Sequence, residues 1–99
     1  MPQSINVRVH ATITCAITDL VTCNFGGDTE NQVLVKNNGP GVVWVSFDPS
    51  FPATVAGVNC FGLKLGESFT RVHVIRNTPF TLIADTAATI VCVSVSAYP

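Results

Sequence analysis

The sequence predicts an all-β domain, a β-sandwich or jelly-roll-like barrel of about 7–8 antiparallel strands. Three observations lead there. Apolar and polar residues alternate without a break from Ile5 to Thr14. Turn signals then recur about every 8–12 residues. No window carries the 3.6-residue periodicity of an amphipathic helix.

The first strand has Ile5, Val7, Val9, Ala11 and Ile13 in one phase and Asn6, Arg8, His10, Thr12 and Thr14 in the other. A helix would scatter these apolar groups around its axis, whereas a strand puts them on one face. The opposite face is wet or meets a partner, which makes Arg8 and His10 candidates for an interface. A short strand is expected over 19–24, followed by a turn at Phe25-Gly26-Gly27-Asp28. Residues 32–36 and 42–47 read as the two arms of a hairpin. Between them lies Asn37-Asn38-Gly39-Pro40-Gly41, where Asn and Gly accept positive φ and Pro lacks an N–H. The run Val42-Val43-Trp44-Val45 suggests a strand covered on both faces, with Trp44 in the core.

Residues 48–63 break the pattern. Pro49, Pro52 and Gly57 interrupt the segment, and after Asp48 it holds no charge until Lys64. It nevertheless carries Phe51, Val55, Val58 and Phe61. A solvated loop would be more polar, so this is read as a long apolar loop or arm packed on its own domain or on a neighbour. These four residues are candidate interface anchors, because aromatic and apolar groups dominate the centres of interfaces. Strands are expected again over 69–75, 80–84 and 89–97, with turns at Leu65-Gly66-Glu67-Ser68, Asn77-Thr78-Pro79 and Asp85-Thr86-Ala87.

With 99 residues the chain is expected to be a single domain, 1–99, with residues 1–4 as a flexible lead-in. Hydrophobic residues make up 47% and charged residues 11%. So short a chain hides only part of its surface, so the apolar excess points to burial against other subunits. A membrane span would need about 18 consecutive apolar residues, and no stretch has them. The segment Met1-Pro2-Gln3-Ser4 lacks the basic-then-apolar pattern of a signal peptide, so a cytosol-like compartment is expected. Net charge is −1, and Arg8, Lys36, Lys64, Arg71 and Arg76 are scattered, which disfavours nucleic acid as a partner.

No catalytic or cofactor motif stands out, and a non-enzymatic role is expected. Ser68, His73 and Asp85 could be assembled on paper as a triad, but no strand–turn–helix elbow presents the serine. Cys15, Cys23, Cys60 and Cys92 are too far apart in sequence for the usual paired zinc ligands. Four cysteines allow three pairings, and reduced, small apolar thiols are the favoured reading. Asp28-Thr29-Glu30 offers too few oxygens for calcium. No metal or cofactor is therefore expected.

The stretch Val33 to Phe47, an aliphatic strand ending in Asn-x-Gly and returning as Val-Trp-Val-x-Phe, resembles a hairpin of small tailed-bacteriophage virion proteins. Gly62-Leu63-Lys64-Leu65-Gly66-Glu67-Ser68-Phe69 resembles their Gly-x-x-Leu-x-x-Gly-Glu turn with altered spacing, and the strand Ile90 to Ser96 also fits. The resemblance covers about two thirds of the chain. It implies a head decoration or cement protein that forms a homo-oligomer, commonly a trimer, and bridges major capsid protein subunits on the virion surface after assembly in the host cytoplasm. The lead-in 1–4 and the loop 48–63 would grip the lattice. The four cysteines and the long apolar loop depart from the pattern. The alternative is a carbohydrate- or receptor-binding module of a tail or fibre, with Asn24, Phe25, Asp28 and Asn31 as its patch.

Overall fold

The computed structural model describes residues 3–7, 9–25, 31–48, 50–58, 60–74 and 79–97. Among them are nine strands: β1 (Gln3–Val7), β2 (His10–Cys15), β3 (Val21–Phe25), β4 (Asn31–Asn37), β5 (Val43–Ser46), β6 (Phe61–Leu63), β7 (Ser68–Val74), β8 (Phe80–Ala84) and β9 (Thr89–Ala97). They form a sandwich of two sheets. One has the order β1-β3-β8-β5-β6 and the other β2-β9-β4-β7. All pairings are antiparallel except β1 with β3, which is parallel.

The all-β sandwich agrees with the alternation in the sequence, but two strand readings need correction. The run Ile5–Thr14 is not one strand. It crosses from the five-stranded sheet to the four-stranded sheet between Val7 and His10. A period of two reports which face is buried and is silent about which neighbour a strand pairs with. Residues 32–47 are likewise not a hairpin, because β4 and β5 lie in opposite sheets. The Asn37–Gly41 turn is an arch across the sandwich. In addition, Gln3 and Ser4 belong to β1, where Gln3 N–H donates to the Leu20 carbonyl at 2.9 Å, so they are not a loose lead-in.

The inner faces supply one core. Val7, Ile13, Cys15, Val21, Cys23, Val33, Val35, Val43, Val45, Leu63, Phe80, Leu82, Ala84, Val91, Val93 and Val95 are all buried in it. Most are β-branched, which suits a pleated surface whose side chains interdigitate across about 10 Å. On the β6–β7 side the sandwich is closed by aromatic rings. Phe61 and Phe69 lie 4.1 Å apart between centroids, and Phe47 sits 5.0 Å from Phe80 and 6.0 Å from Phe61.

Strand β8 is buried along its whole length, on both faces. Phe80, Leu82 and Ala84 face the core. Thr81 and Ile83 face outward yet are only 9% and 8% exposed. Trp44 is half-buried on this outer face, in register with Ile83 and Gly62, and is not in the core as expected. Gly62 leaves room for the indole: a Cβ there would sit 3.2 Å from Trp44 Nε1.

Four connections cross between the sheets at one end of the sandwich: β2 to β3, β4 to β5, β6 to β7 and β8 to β9. Asn37 ties the β4–β5 and β6–β7 connections together. It is fully buried, and its Nδ2 donates to the carbonyls of Gly41 and Leu63, both at 2.7 Å. Its Oδ1 accepts from Gly39 N–H at 2.7 Å. Its backbone accepts from Gly66 N–H at 2.8 Å and donates to the Glu67 carbonyl at 3.0 Å. The buried Thr89 hydroxyl donates to the Thr86 carbonyl at 2.7 Å and accepts from Gly41 N–H at 3.2 Å. Asp85 Oδ1 accepts from Val42 N–H at 3.0 Å. Gly39 and Gly66 have φ of 82° and 85°, a left-handed backbone that disfavours any residue with a Cβ. No buried side-chain nitrogen or oxygen among the described residues lacks a partner.

Candidate interaction surface

The segment joining β5 to β6 is pinned from beneath and apolar on top. Ser46 Oγ donates to the Phe51 carbonyl at 2.6 Å and accepts from Asp48 N–H at 3.3 Å. Asp48 Oδ1 accepts from Ser50 N–H at 2.9 Å. Further on, Ala53 N–H donates to Thr81 Oγ1 at 2.8 Å, and Ala53 itself is buried. Gly57 N–H then donates to the Thr54 carbonyl at 2.9 Å. These bonds account for the buried outer face of β8: the loop lies on it and satisfies Ser46 and Thr81.

With its backbone tethered at Phe51 and Ala53, the loop presents apolar side chains to solvent. Phe51 is 50% exposed, Val55 41% and Val58 97%. Three large exposed apolar groups thus fall in one short, charge-free segment, while Val9, Ile17, Leu65 and Ile90 are exposed elsewhere. Phe61 behaves differently: it is drawn into the molecule's own aromatic cluster at the start of β6. His10 is exposed on β2, its Nδ1 3.4 Å from Ser94 Oγ, and Arg8 lies outside the described residues. The structure thus gathers Phe51, Val55 and Val58 on one loop and places Phe61 and His10 elsewhere.

Thr81 and Ser46, which hold the loop, gave no signal in the sequence beyond their place in a strand. Replacing Thr81 by valine keeps the shape and removes the acceptor of a buried N–H. We expect a loss of about 1–3 kcal/mol, with faster amide exchange at Ala53 and quicker proteolysis between Phe51 and Cys60.

The paper triad does not assemble. Ser68 and position 73 are five residues apart on the same strand, which places their backbones about 16 Å apart. The Asp85 carboxylate is engaged by Val42 N–H and by the Thr86 hydroxyl at 2.9 Å. The His73 side chain lies outside the described residues. Among the described residues no three His, Cys, Asp or Glu side chains gather as metal ligands. Of the proposed sugar patch, Asn24 Nδ2 is occupied by Ser4 Oγ at 2.9 Å; the side chains of Phe25 and Asn31, together with Asp28, lie outside the described residues. The same holds for Thr29 and Glu30.

All four cysteines are free thiols. Cys15 and Cys23 are buried on opposing sheets. Burial lifts the Cys15 thiol from 9.0 to about 11, and burial followed by the neighbouring Cys15 charge lifts Cys23 to about 12. The unfolded chain therefore ionises them first. Their contribution to stability is fully present below pH 9 and is lost as pH rises through about 11 to 12. We expect the melting temperature to fall above pH 9, and the fall to be shallower in a Cys15→Ala/Cys23→Ala variant. Equal slopes for the two proteins would contradict this.

No protein-family model matches the chain, and no curated protein matches it. Among solved structures, the chain is similar to the pre-peptidase C-terminal domain of a collagenase from Bacillus anthracis, with 17% identity, 97% of each chain covered and a TM-score of 0.41. A similarity of that size carries no functional argument. The sandwich assignment rests on the strands themselves.

Proposed function

We propose that this chain is a non-enzymatic assembly protein that docks on a larger particle through the loop between β5 and β6. The particle we propose is the capsid of a tailed bacteriophage, decorated and stabilised by the chain on the virion surface. The carrying observation is the loop whose backbone is held at Phe51 and Ala53 by Ser46 and Thr81 while Phe51, Val55 and Val58 remain in solvent. A rigid apolar loop loses little conformational entropy on docking, so more of its burial energy is available for binding. Many weak copies acting on one shell would add avidity. The low charge content, 11%, suits burial in a permanent assembly.

The test is cosedimentation with empty shells assembled from the major capsid protein of the same genome. The wild-type chain is expected to pellet with the shells. A Phe51→Ser/Val58→Ser variant should stay in the supernatant while keeping its melting temperature. A wild-type chain that remains in the supernatant overturns the proposal. The trimeric state implied by the sequence resemblance is read separately, from the native mass.

A further inference from the structure

We infer that two copies of this chain pair along β2, antiparallel and about a two-fold axis at Thr12, joining their four-stranded sheets into one. The inference goes beyond the shell-binding reading and does not depend on it, since it uses a different surface; it stands against the trimer that the sequence resemblance implies, and the native mass separates the two.

Strand β2 is an edge: its one partner among the described strands is β9. The register sets which backbone groups are left over. Val95 N–H donates to the Val9 carbonyl at 2.8 Å, and Val9 is the position opposite Val95 in the ladder. In an antiparallel ladder hydrogen-bonded pairs alternate, so Ala11 and Ile13 also bond to β9. The N–H and C=O groups of His10, Thr12 and Thr14 then point away from the sheet. This set is its own complement. With Thr12 opposite Thr12 of a second copy, His10 faces the other Thr14, and about six backbone hydrogen bonds close.

The side chains permit the pairing. β2 reads His-Ala-Thr-Ile-Thr-Cys, with no Lys, Arg, Asp, Glu or Pro. Edge strands are ordinarily protected by such residues or by a bulge. Of the other edges, β7 carries Arg71 and β6 has three residues, while β1 is likewise uncharged but runs parallel to its single partner β3. On the outer face, Thr12 would meet Thr12 and His10 would meet Thr14, both favourable or neutral cross-strand pairs. On the inner face, Ala11 would meet Ile13. Two of the exposed apolar side chains, Val9 at 70% and Ile17 at 53%, flank the two ends of β2 and would be covered at the seam.

The experiment is native mass measurement over a dilution series, with amide hydrogen exchange on the same samples. The wild-type chain should give twice the chain mass, with His10, Thr12 and Thr14 amides protected in the dimer. Thr12→Lys sets like charges opposite each other on the axis and should weaken the dimer roughly 100-fold, leaving the strand itself exposed and intact. Thr70→Lys, on the exposed face of β7, should leave the mass unchanged. A monomer, a trimer, or a dimer that survives Thr12→Lys overturns the inference. So does fast exchange of those three amides in the wild-type chain, a readout that stands even if the variant fails to fold. Failure to pellet with shells would leave this pairing untouched.

Discussion

Replacing Asn37 by leucine is expected to remove about 3–6 kcal/mol of stability, much of what a domain this size has. Three buried backbone groups depend on that one carboxamide: the carbonyls of Gly41 and Leu63 and the N–H of Gly39. Each orphaned group costs about 1–3 kcal/mol, because no water reaches it. The size of the side chain is not the issue, and Asn37→Asp separates the two causes. Aspartate has the same shape and can still accept from Gly39, but it has no proton to give to the two carbonyls. It should therefore be as damaging as leucine at neutral pH. It should recover part of the loss as pH falls, since protonation restores one donor. Denaturant unfolding at neutral and mildly acidic pH reads both effects. If Asn37→Asp is as stable as wild type at neutral pH, the carboxamide is not holding the arch.

Phe80→Ala is expected to cost about 3–5 kcal/mol, as large-to-small changes in a dense core do. Phe80 is 1% exposed, stands at the start of the central strand β8, and has the Phe47 ring 5.0 Å away. Its removal opens a cavity in a core built mostly of β-branched side chains, which have few rotamers with which to refill it. Phe61→Ala should cost less, because that ring is only partly buried on the short edge strand β6. Thermal unfolding of the two variants side by side checks the ranking. Equal losses would mean that the aromatic cluster, and not the central strand, organises that side of the core.

The sequence shows the sandwich because period-two patterning is a direct record of burial. Val33 and Val35, Val43 and Val45, and Val91, Val93 and Val95 all lie buried in the core. It does not show which sheet each strand joins. Asn37-Asn38-Gly39 marks a change of direction whether the chain folds back beside itself or arches over, and the arch is held by contacts such as that to the Leu63 carbonyl, twenty-six residues away. Trp44 escapes a core assignment for a related reason: an apolar run does not say which of its members looks outward over a glycine on the next strand. The exposed loop was half legible. Its missing charge and its Phe51, Val55 and Val58 stand out in the sequence. That Phe61 turns inward, and that Thr81 and Ser46 tether the rest, depends on contacts no local pattern encodes.

The place of β9 has a consequence for how the molecule is made. Strand β9, which follows the other eight described strands in sequence, is the one that both β2 and β4 lie against. Until it emerges, β2 has no partner in its sheet and β4 has only β7. The four-stranded sheet therefore cannot close before β9 has been made, and folding waits on pairings between distant parts of the chain, which form slowly. During that interval two nearly uncharged ribbons stand open to other nascent chains. Yield in the cell would then be governed by how quickly β9 inserts between β2 and β4, more than by the stability it confers once in place.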